Sequence, residues 1–225
     1  AGIPRHRRTE EARVKKLLLW GTGGNSGVVL DCAVAMGASD AIAFLDDGPD
    51  AHRSHLGFPV LGTRAALDDA RASGYTHFVI SIGNNRARAA YFDMAIAHGL
   101  EAATIVHPSA VVSRWAVVGA GTVVMPKVAV RVGSVIGRDC IINTGVAVGH
   151  GCSVGDHVHL SPRCILAGGT KVGPYAHVCI GAVTRPLAEI GEAAVVGAGA
   201  VVLHSVPAGA TVVGIPARVL ARASS

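Results

Sequence analysis

Aromatic side chains are scarce in this chain, 4% of 225 residues, while 50% of the chain is hydrophobic and 29 residues are glycine. Such a mixture can bury a core, which argues against disorder, but the core must be built from small and β-branched side chains. Cysteine is also sparse. Cys32, Cys140, Cys152, Cys164 and Cys179 are odd in number and contain no Cys-x-x-Cys pair, which argues against a disulfide framework and a zinc knuckle. No run of eighteen apolar residues occurs, and nothing before Lys15 has the apolar stretch of a signal peptide. A cytoplasmic protein without membrane insertion is therefore expected.

Excess charge is confined to one end. Arg5, Arg7, Arg8, Arg13, Lys15 and Lys16 against Glu10 and Glu11 account for +4 of the net +5, which leaves 14 basic and 13 acidic residues over the remainder. A basic stripe across a folded face is not indicated, so nucleic acid is not an expected partner. Residues 1–15 read as a disordered basic arm.

From Lys16 onward apolar runs alternate with helical segments. Strands are expected at 16–20, 41–45 and 78–82, helices at 28–36, 63–73 and 86–98, and a further apolar run covers 58–62. Alternation of this kind implies a parallel sheet with a ligand groove at the strand carboxyl ends, over a domain of residues 16–104. Gly21-x-Gly23 follows the first strand, but Ser26 stands at the third glycine position, so the dinucleotide signal is weak. Backbone amides there can still hold a phosphate at the helix start. Asp46 and Asp47 end the next strand and suit a base or ribose contact.

Beyond residue 105 the texture changes. Stepping by six from Val106 to Val202 meets seventeen residues, of which all but Thr184 are aliphatic, and four residues after each lies a small one, from Ala110 to Val206. A six-residue period fits neither an α-helix nor a heptad, so residues 105–207 read as a β-solenoid and 208–225 as a C-terminal strand and tail. Cys140, Cys152 and Cys164 fall on the small inward position and read as core filler. His150 falls on an outward position of the repeat. His159 and His177 are eighteen apart and should stack; Asp139, His157 and Tyr175 share that interval and read as a structural surface ladder. The solenoid offers no metal-binding histidine pair five residues apart, and no metal is expected.

The pattern resembles the hexapeptide-repeat acyltransferases. The whole chain resembles the nucleotide-sugar N-acetyltransferases among them, through Gly-Thr-Gly-Gly at 21–24, Phe44-Leu45-Asp46-Asp47, Ile82-Gly83-Asn84-Asn85-x-x-Arg88, His107-Pro108-Ser109-Ala110, Val124-Met125-Pro126, Asn143-Thr144 and Gly214-Ile215-Pro216-Ala217. Within that group the chain resembles the enzymes that acetylate UDP-4-amino sugars in bacillosamine synthesis, and GDP-perosamine N-acetyltransferases look similar too. The resemblance spans about 16–220. It implies an α/β Rossmann-like domain before a left-handed parallel β-helix, a homotrimer with shared sites, and acetyl-CoA as co-substrate.

By the same resemblance His150 is the general base, Asn143 its hydrogen-bonding partner and His159 a contact to cofactor or acetyl group. The nucleotide-linked amino sugar is implied to bind through Gly21, Gly23, Gly24, Asn25, Asp46, Asp47, Gly83 and Asn84, and coenzyme A through backbone amides of Gly168, Ile180 and Ala198. Arg218 could meet a phosphate. Two departures stand out. Relatives commonly carry an acid immediately after the base, where this chain has Gly151, and often a histidine where it has Asn25. Asn143, a backbone carbonyl or a carboxylate from a neighbouring chain could orient His150 instead. The expected function is acetylation of the 4-amino group of a nucleotide-linked 4-amino-4,6-dideoxy sugar in glycan biosynthesis. Sugar O-acetylation of the sialic acid type, a non-catalytic assembly module and a zinc hydratase are the alternatives.

Overall fold

A computed structural model describes residues 14–48 and 53–220. The basic arm lies outside the described residues as far as Arg13. The N-terminal domain runs β1 (Val14–Trp20), α1 (Ser26–Met36), β2 (Ser39–Leu45), the hairpin β3 (Ser54–His55) and β4 (Phe58–Pro59), α2 (Leu67–Ala72), β5 (His77–Ile80), α3 (Asn85–Ala97) and β6 (Glu101–Ala102). Four strands form a parallel sheet in the order β2-β1-β5-β6. Successive β1 residues serve opposite faces: Leu17 and Leu19 pack with α1, Leu18 and Trp20 with α2 and α3. Covering both faces is what makes this strand a continuous apolar run rather than an alternating one.

Local chemistry moves three boundaries from their sequence expectation. Helix α1 begins two residues early because the Ser26 hydroxyl bonds the Gly23 carbonyl at 2.6 Å and turns the chain into the helix. The segment 63–73 is divided into a 3-10 turn, Arg64–Ala66, started by the Thr63 side chain, and then α2. Of the run 58–62, only Phe58–Pro59 is strand, and Val60 bridges Phe44.

From Ile105 the chain winds as a left-handed parallel β-helix of three faces. The first face stacks two-residue strands beginning at Ile105, Val123, Ile141, His159, His177 and Val195; the second at Val111, Ala129, Ala147, Ile165, Val183 and Val201; the third at Val117, Val135, Ser153, Lys171 and Glu189. Neighbours pair in parallel with an eighteen-residue register, as at Val123–Ile141 and Ala129–Ala147. The second residue of each strand points inward, and from Val124 to Val202 these side chains are buried. Each contributes roughly 1.5–3 kcal/mol, which supplies a core without aromatics. Thr184, the exception in the repeat, is buried too; its hydroxyl meets Thr170 at 2.9 Å and accepts the Ala167 N–H at 3.0 Å.

Cys140, Cys152 and Cys164 lie inside the prism as expected, and burial pushes the Cys140 and Cys164 thiols up to about 12, so they are unreactive. The C-terminal strands Thr211–Val213 and Arg218–Val219 pair antiparallel and extend the first face.

The two domains share a core. Ile105, Val123 and Ile141 point outward from the first face and are buried against α1 together with Leu17, Leu19 and Phe44 of the sheet. Helix α3 docks alongside, with Phe92 seated so closely on Gly121 that a Cβ there would meet the ring at 2.6 Å. The N-terminal domain is therefore fixed on the coils rather than tethered to them.

Candidate active site

His150 follows the second-face strand Ala147–Val148 and is exposed on the corner between the second and third faces. The chain turns there because Gly151 takes a left-handed backbone, φ +62°. Directly below, one coil on, lies Gly168: a Cβ on it would meet the His150 ring at 2.4 Å from Nε2 and 2.6 Å from Cε1. The missing side chain is the seat of the imidazole. From above, the Ser134 hydroxyl bonds the Gly149 carbonyl at 2.6 Å, which ties the corner to the core. Gly168→Ala is thus expected to displace the ring rather than the coil, because the clashing atoms are the far end of a rotatable side chain. Turnover should fall by roughly 10-fold or more, since small displacements of a reacting group cost up to about 10²-fold, with the melting temperature unchanged. Parallel steady-state kinetics and thermal melts check it.

Asn143 lies on a different corner, between the first and second faces, and its side-chain oxygen accepts the Thr144 N–H at 2.8 Å. Within one chain it is not brought to His150; the second face separates them. Ile180 and Ala198 occupy the Asn143 corner, one above the other, whereas Gly168 belongs to the His150 corner. Among the described residues, the amides of Gly168, Ile180 and Ala198 make none of the inter-coil backbone hydrogen bonds. Arg218 is exposed and donates to its neighbour's carbonyl, Ala217, at 2.9 Å.

His159 projects outward from the first face but is covered by the N-terminal domain, leaving it 8% exposed. Its ring stacks on His177 with centroids 4.7 Å apart and 10° between planes, as the spacing predicted. His177 Nε2 in turn meets the Ser161 hydroxyl at 2.8 Å. Neither His159 nitrogen makes a hydrogen bond of standard geometry among the described residues. Burial, then His177 and Arg88, pull this imidazole down to about 4, a change the nearby Gly83 backbone only partly offsets. Burial also lowers His177. His159 is therefore neutral at pH 7, a hydrogen-bonding group rather than a cation.

The sign of the pH dependence follows. A histidine whose folded value lies below its unfolded value near 6.5 leaves the unfolded chain binding more protons on acidification, so stability is lost as pH falls from about 6.5 toward 4. The His159 share is roughly 3 kcal/mol by pH 4. Urea midpoints at pH 7 and pH 4.5 should diverge less in His159→Gln than in the parent, and equal slopes would sink the assignment.

In the N-terminal domain a cleft of about 360 Å³ opens at the carboxyl ends of β1, β2 and β5. Gly21, Gly23, Asp46 and Asp47 line it together with Trp20, Gly48, Arg64, Ile82 and Tyr91. Asp46 accepts from the backbone and side chain of Thr22 and from Gly48 N–H; burial would raise it, but these bonds together hold it below the usual carboxylate range. Asp47 is lowered likewise, against the effect of burial, by the Arg64 backbone N–H, the Tyr91 hydroxyl and the Arg64 guanidinium at 3.2 Å. Arg64 also lies over the Tyr91 ring. Two ionised carboxylates and one exposed guanidinium at a cleft mouth suit a base, a ribose and a phosphate.

Arg64 and Tyr91 are cleft residues that the sequence reading missed, because they come from α2's approach and from α3, where no local motif marks them. Gly24, Asn25, Gly83 and Asn84 do not line this cleft. Asn25 lies against Gly83 at the start of α1, and Asn84 caps α3, its side chain accepting the Ala87 N–H at 3.0 Å.

One reading is corrected. Asp139 and His157 are not a surface ladder: each is 1% exposed, buried where α3 meets the coils. His157 Nδ1 meets Asp139 at 2.8 Å, its ring stacks on Tyr175, and Phe92 packs edge-on against it. Among the described residues no group of three or more His, Cys, Asp or Glu side chains is placed to hold a metal ion, and no helix is long and apolar enough to cross a membrane.

Comparison with known proteins bears on the fold and the family. Residues 16–95 match the family described as the PglD N-terminal domain. A search of curated protein sequences returns no match. Among solved structures, a perosamine N-acetyltransferase from Caulobacter crescentus, carrying a substituted histidine and in complex with CoA and GDP-perosamine, is 37% identical. The match covers 92% of this chain and 98% of that one, with a TM-score of 0.89. The acetyltransferase domain of PglB from Neisseria gonorrhoeae in complex with acetyl coenzyme A is 38% identical over 92% and 99% of the two chains, TM-score 0.88. WeeI from Acinetobacter baumannii is 26% identical over 92% and 100%, TM-score 0.76. With an α/β domain carrying a nucleotide-sized cleft, a hexapeptide solenoid carrying an exposed imidazole, and relatives this similar along nearly their whole length, the chain belongs to the hexapeptide-repeat nucleotide-sugar N-acetyltransferases.

Proposed function

We propose that this enzyme transfers the acetyl group of acetyl-CoA to the 4-amino group of a nucleotide-linked 4-amino-4,6-dideoxy sugar. The observation that carries the reading is the exposed His150 imidazole, held over Gly168 beside outward-facing amides, on a scaffold whose relatives bind CoA and GDP-perosamine. The neutral amine attacks the thioester carbonyl and His150 takes the proton it loses. A backbone amide of the coil corner stabilises the tetrahedral oxyanion, and collapse expels the CoA thiolate, which recovers the proton. Asp46, Asp47 and the Gly21 loop hold the nucleotide, the Gly168, Ile180 and Ala198 amides the coenzyme.

The active unit in this reading is a homotrimer. All six outward residues of the second face are apolar, namely Val111, Ala129, Ala147, Ile165, Val183 and Val201, with Val111 66% and Ile165 46% exposed. His150 and Gly168 flank one edge of that face, Asn143, Ile180 and Ala198 the other. Packing such faces around a three-fold axis brings unlike edges of neighbouring copies together, so each site takes its base from one chain and its other corner from the next. The prism thereby covers an apolar strip and completes the site at once.

Thiol release from acetyl-CoA, measured with UDP- and GDP-linked 4-amino sugars and with the corresponding hydroxyl sugars, tests the proposal. Turnover with one amino-sugar nucleotide and none with the hydroxyl forms is expected. Turnover confined to hydroxyl sugars would make it an O-acetyltransferase, and none with any acceptor an assembly module. The accompanying expectation is a cytoplasmic enzyme of glycan biosynthesis.

A further inference from the structure

Of the Ile82–Arg88 segment only Ile82 lines the cleft, while Asn85 and Arg88 reach the coils. Arg88, on the first turns of α3, is 1% exposed although it carries a full charge. Its Nε donates to the Asp139 carbonyl at 2.9 Å and lies 3.2 Å from the Asp139 carboxylate; Nη2 donates to the His157 carbonyl at 2.7 Å. Nη1 points the other way, to the carbonyls of Ile82 and Gly83 at 3.2 and 3.3 Å. One planar group thus ties the turn after β5 to two successive coils. Asn85 adds a second tie, its side-chain amide donating to the Tyr175 and Ala176 carbonyls at 2.8 and 3.0 Å.

The backbone at these coil corners is left-handed. Every sixth residue from Gly121 to Gly199 has a left-handed backbone, borne by side-chain-bearing residues at Lys127, Arg163, Leu187 and Ala193 and, under α3, at Asp139, His157 and Tyr175, φ 50°, 58° and 59°. Glycine would satisfy the corner at no cost. What distinguishes the stack under α3 is its contacts: its side chains meet Arg88, Phe92 and, through the Tyr175 ring, Arg86. Burial also works against both charges, pulling Arg88 down and pushing Asp139 up. A buried pair of this kind adds little stability over apolar packing, and its retention is better explained by geometry than by energy.

We infer that Arg88 is a positioning residue. It locks the Ile82–Gly83–Asn84–Asn85 turn to the coils that carry Asp139 and His157, and so sets the sugar-nucleotide cleft at a fixed height above the acetyl-transfer corner. It acts through the turn and touches neither substrate. This rests on the acetyltransferase reading above.

Arg88→Lys and Asn85→Ala test it, the second removing a tie without stranding a charge. Arg88→Lys should lower kcat/KM for the nucleotide sugar by about 10²-fold, through a higher sugar KM and a lower kcat, with the acetyl-CoA KM within about twofold of the parent. Asn85→Ala should move the same constants in the same direction by less. Hydrogen exchange reads the lock without turnover: amides of 81–90 should exchange at least about tenfold faster in both variants while those of 141–202 keep their protection. A purely structural role would change acetyl-CoA and sugar constants together or lower protection throughout, and either result overturns the inference. So does unchanged exchange at 81–90. If the parent enzyme fails to acetylate any amino sugar, the acetyltransferase reading falls, and the exchange rates still decide whether Arg88 holds the turn.

Discussion

Replacing His150 with alanine is expected to cut thiol release by roughly 10²–10⁴-fold, the span that general-base catalysis contributes, while leaving the fold and assembly intact. The side chain is exposed and lies over Gly168, so its removal opens no buried cavity. Loss should fall on kcat, because the imidazole accepts its proton only as the carbon–nitrogen bond forms; the acetyl-CoA KM should hardly move. With Gly149 and Gly151 on either side, neither sequence neighbour carries a side chain that could take over. Stopped assays with a thiol reagent, run beside size-exclusion chromatography, make the measurement. Undiminished turnover in a well-assembled variant would remove His150 from the mechanism.

Comparable in size is the expected result of Ala147→Glu. Ala147 sits in the middle of the apolar second face, in register with Ala129 above and Ile165 below. In a lone chain the new carboxylate faces water and costs little. In the proposed trimer three copies would be buried near the axis without partners, at several kcal/mol each, enough to dissociate a complex held by this face. Activity should then fall to background, because His150 and the Asn143 corner of one chain lie on opposite edges of that face. Light scattering should report a folded monomer of unchanged circular dichroism. A trimeric and active variant would refute both the interface and the shared site.

Much of the coil architecture was legible in the order of residues. An inward aliphatic every six residues and a small residue four later is a one-dimensional rule, because each coil buries its side chains against copies of the same pattern one turn away. The His159–His177 stack followed from that period alone. The period also placed Asp139, His157 and Tyr175 in one column, but not their burial. A repeat describes the prism by itself, and the column is buried only because α3 lies across it. Likewise Asp46 and Asp47 were recognisable at the end of an apolar run, while Arg64 and Tyr91, brought to the same cleft by separate elements, carried no mark.

Sequence by itself therefore determined what recurs locally: the sheet-and-helix alternation of 16–104, the hexapeptide prism, and the outward placement of His150. Tertiary structure decided what joins distant segments. It put Arg88 on carbonyls 51 and 69 residues away, assigned Asn143 and His150 to different corners, and left one apolar face uncovered. Periodicity reports the direction in which a side chain leaves its own strand. What it meets there depends on how two domains dock, and that is fixed by shape and buried charge over separations that no short pattern encodes.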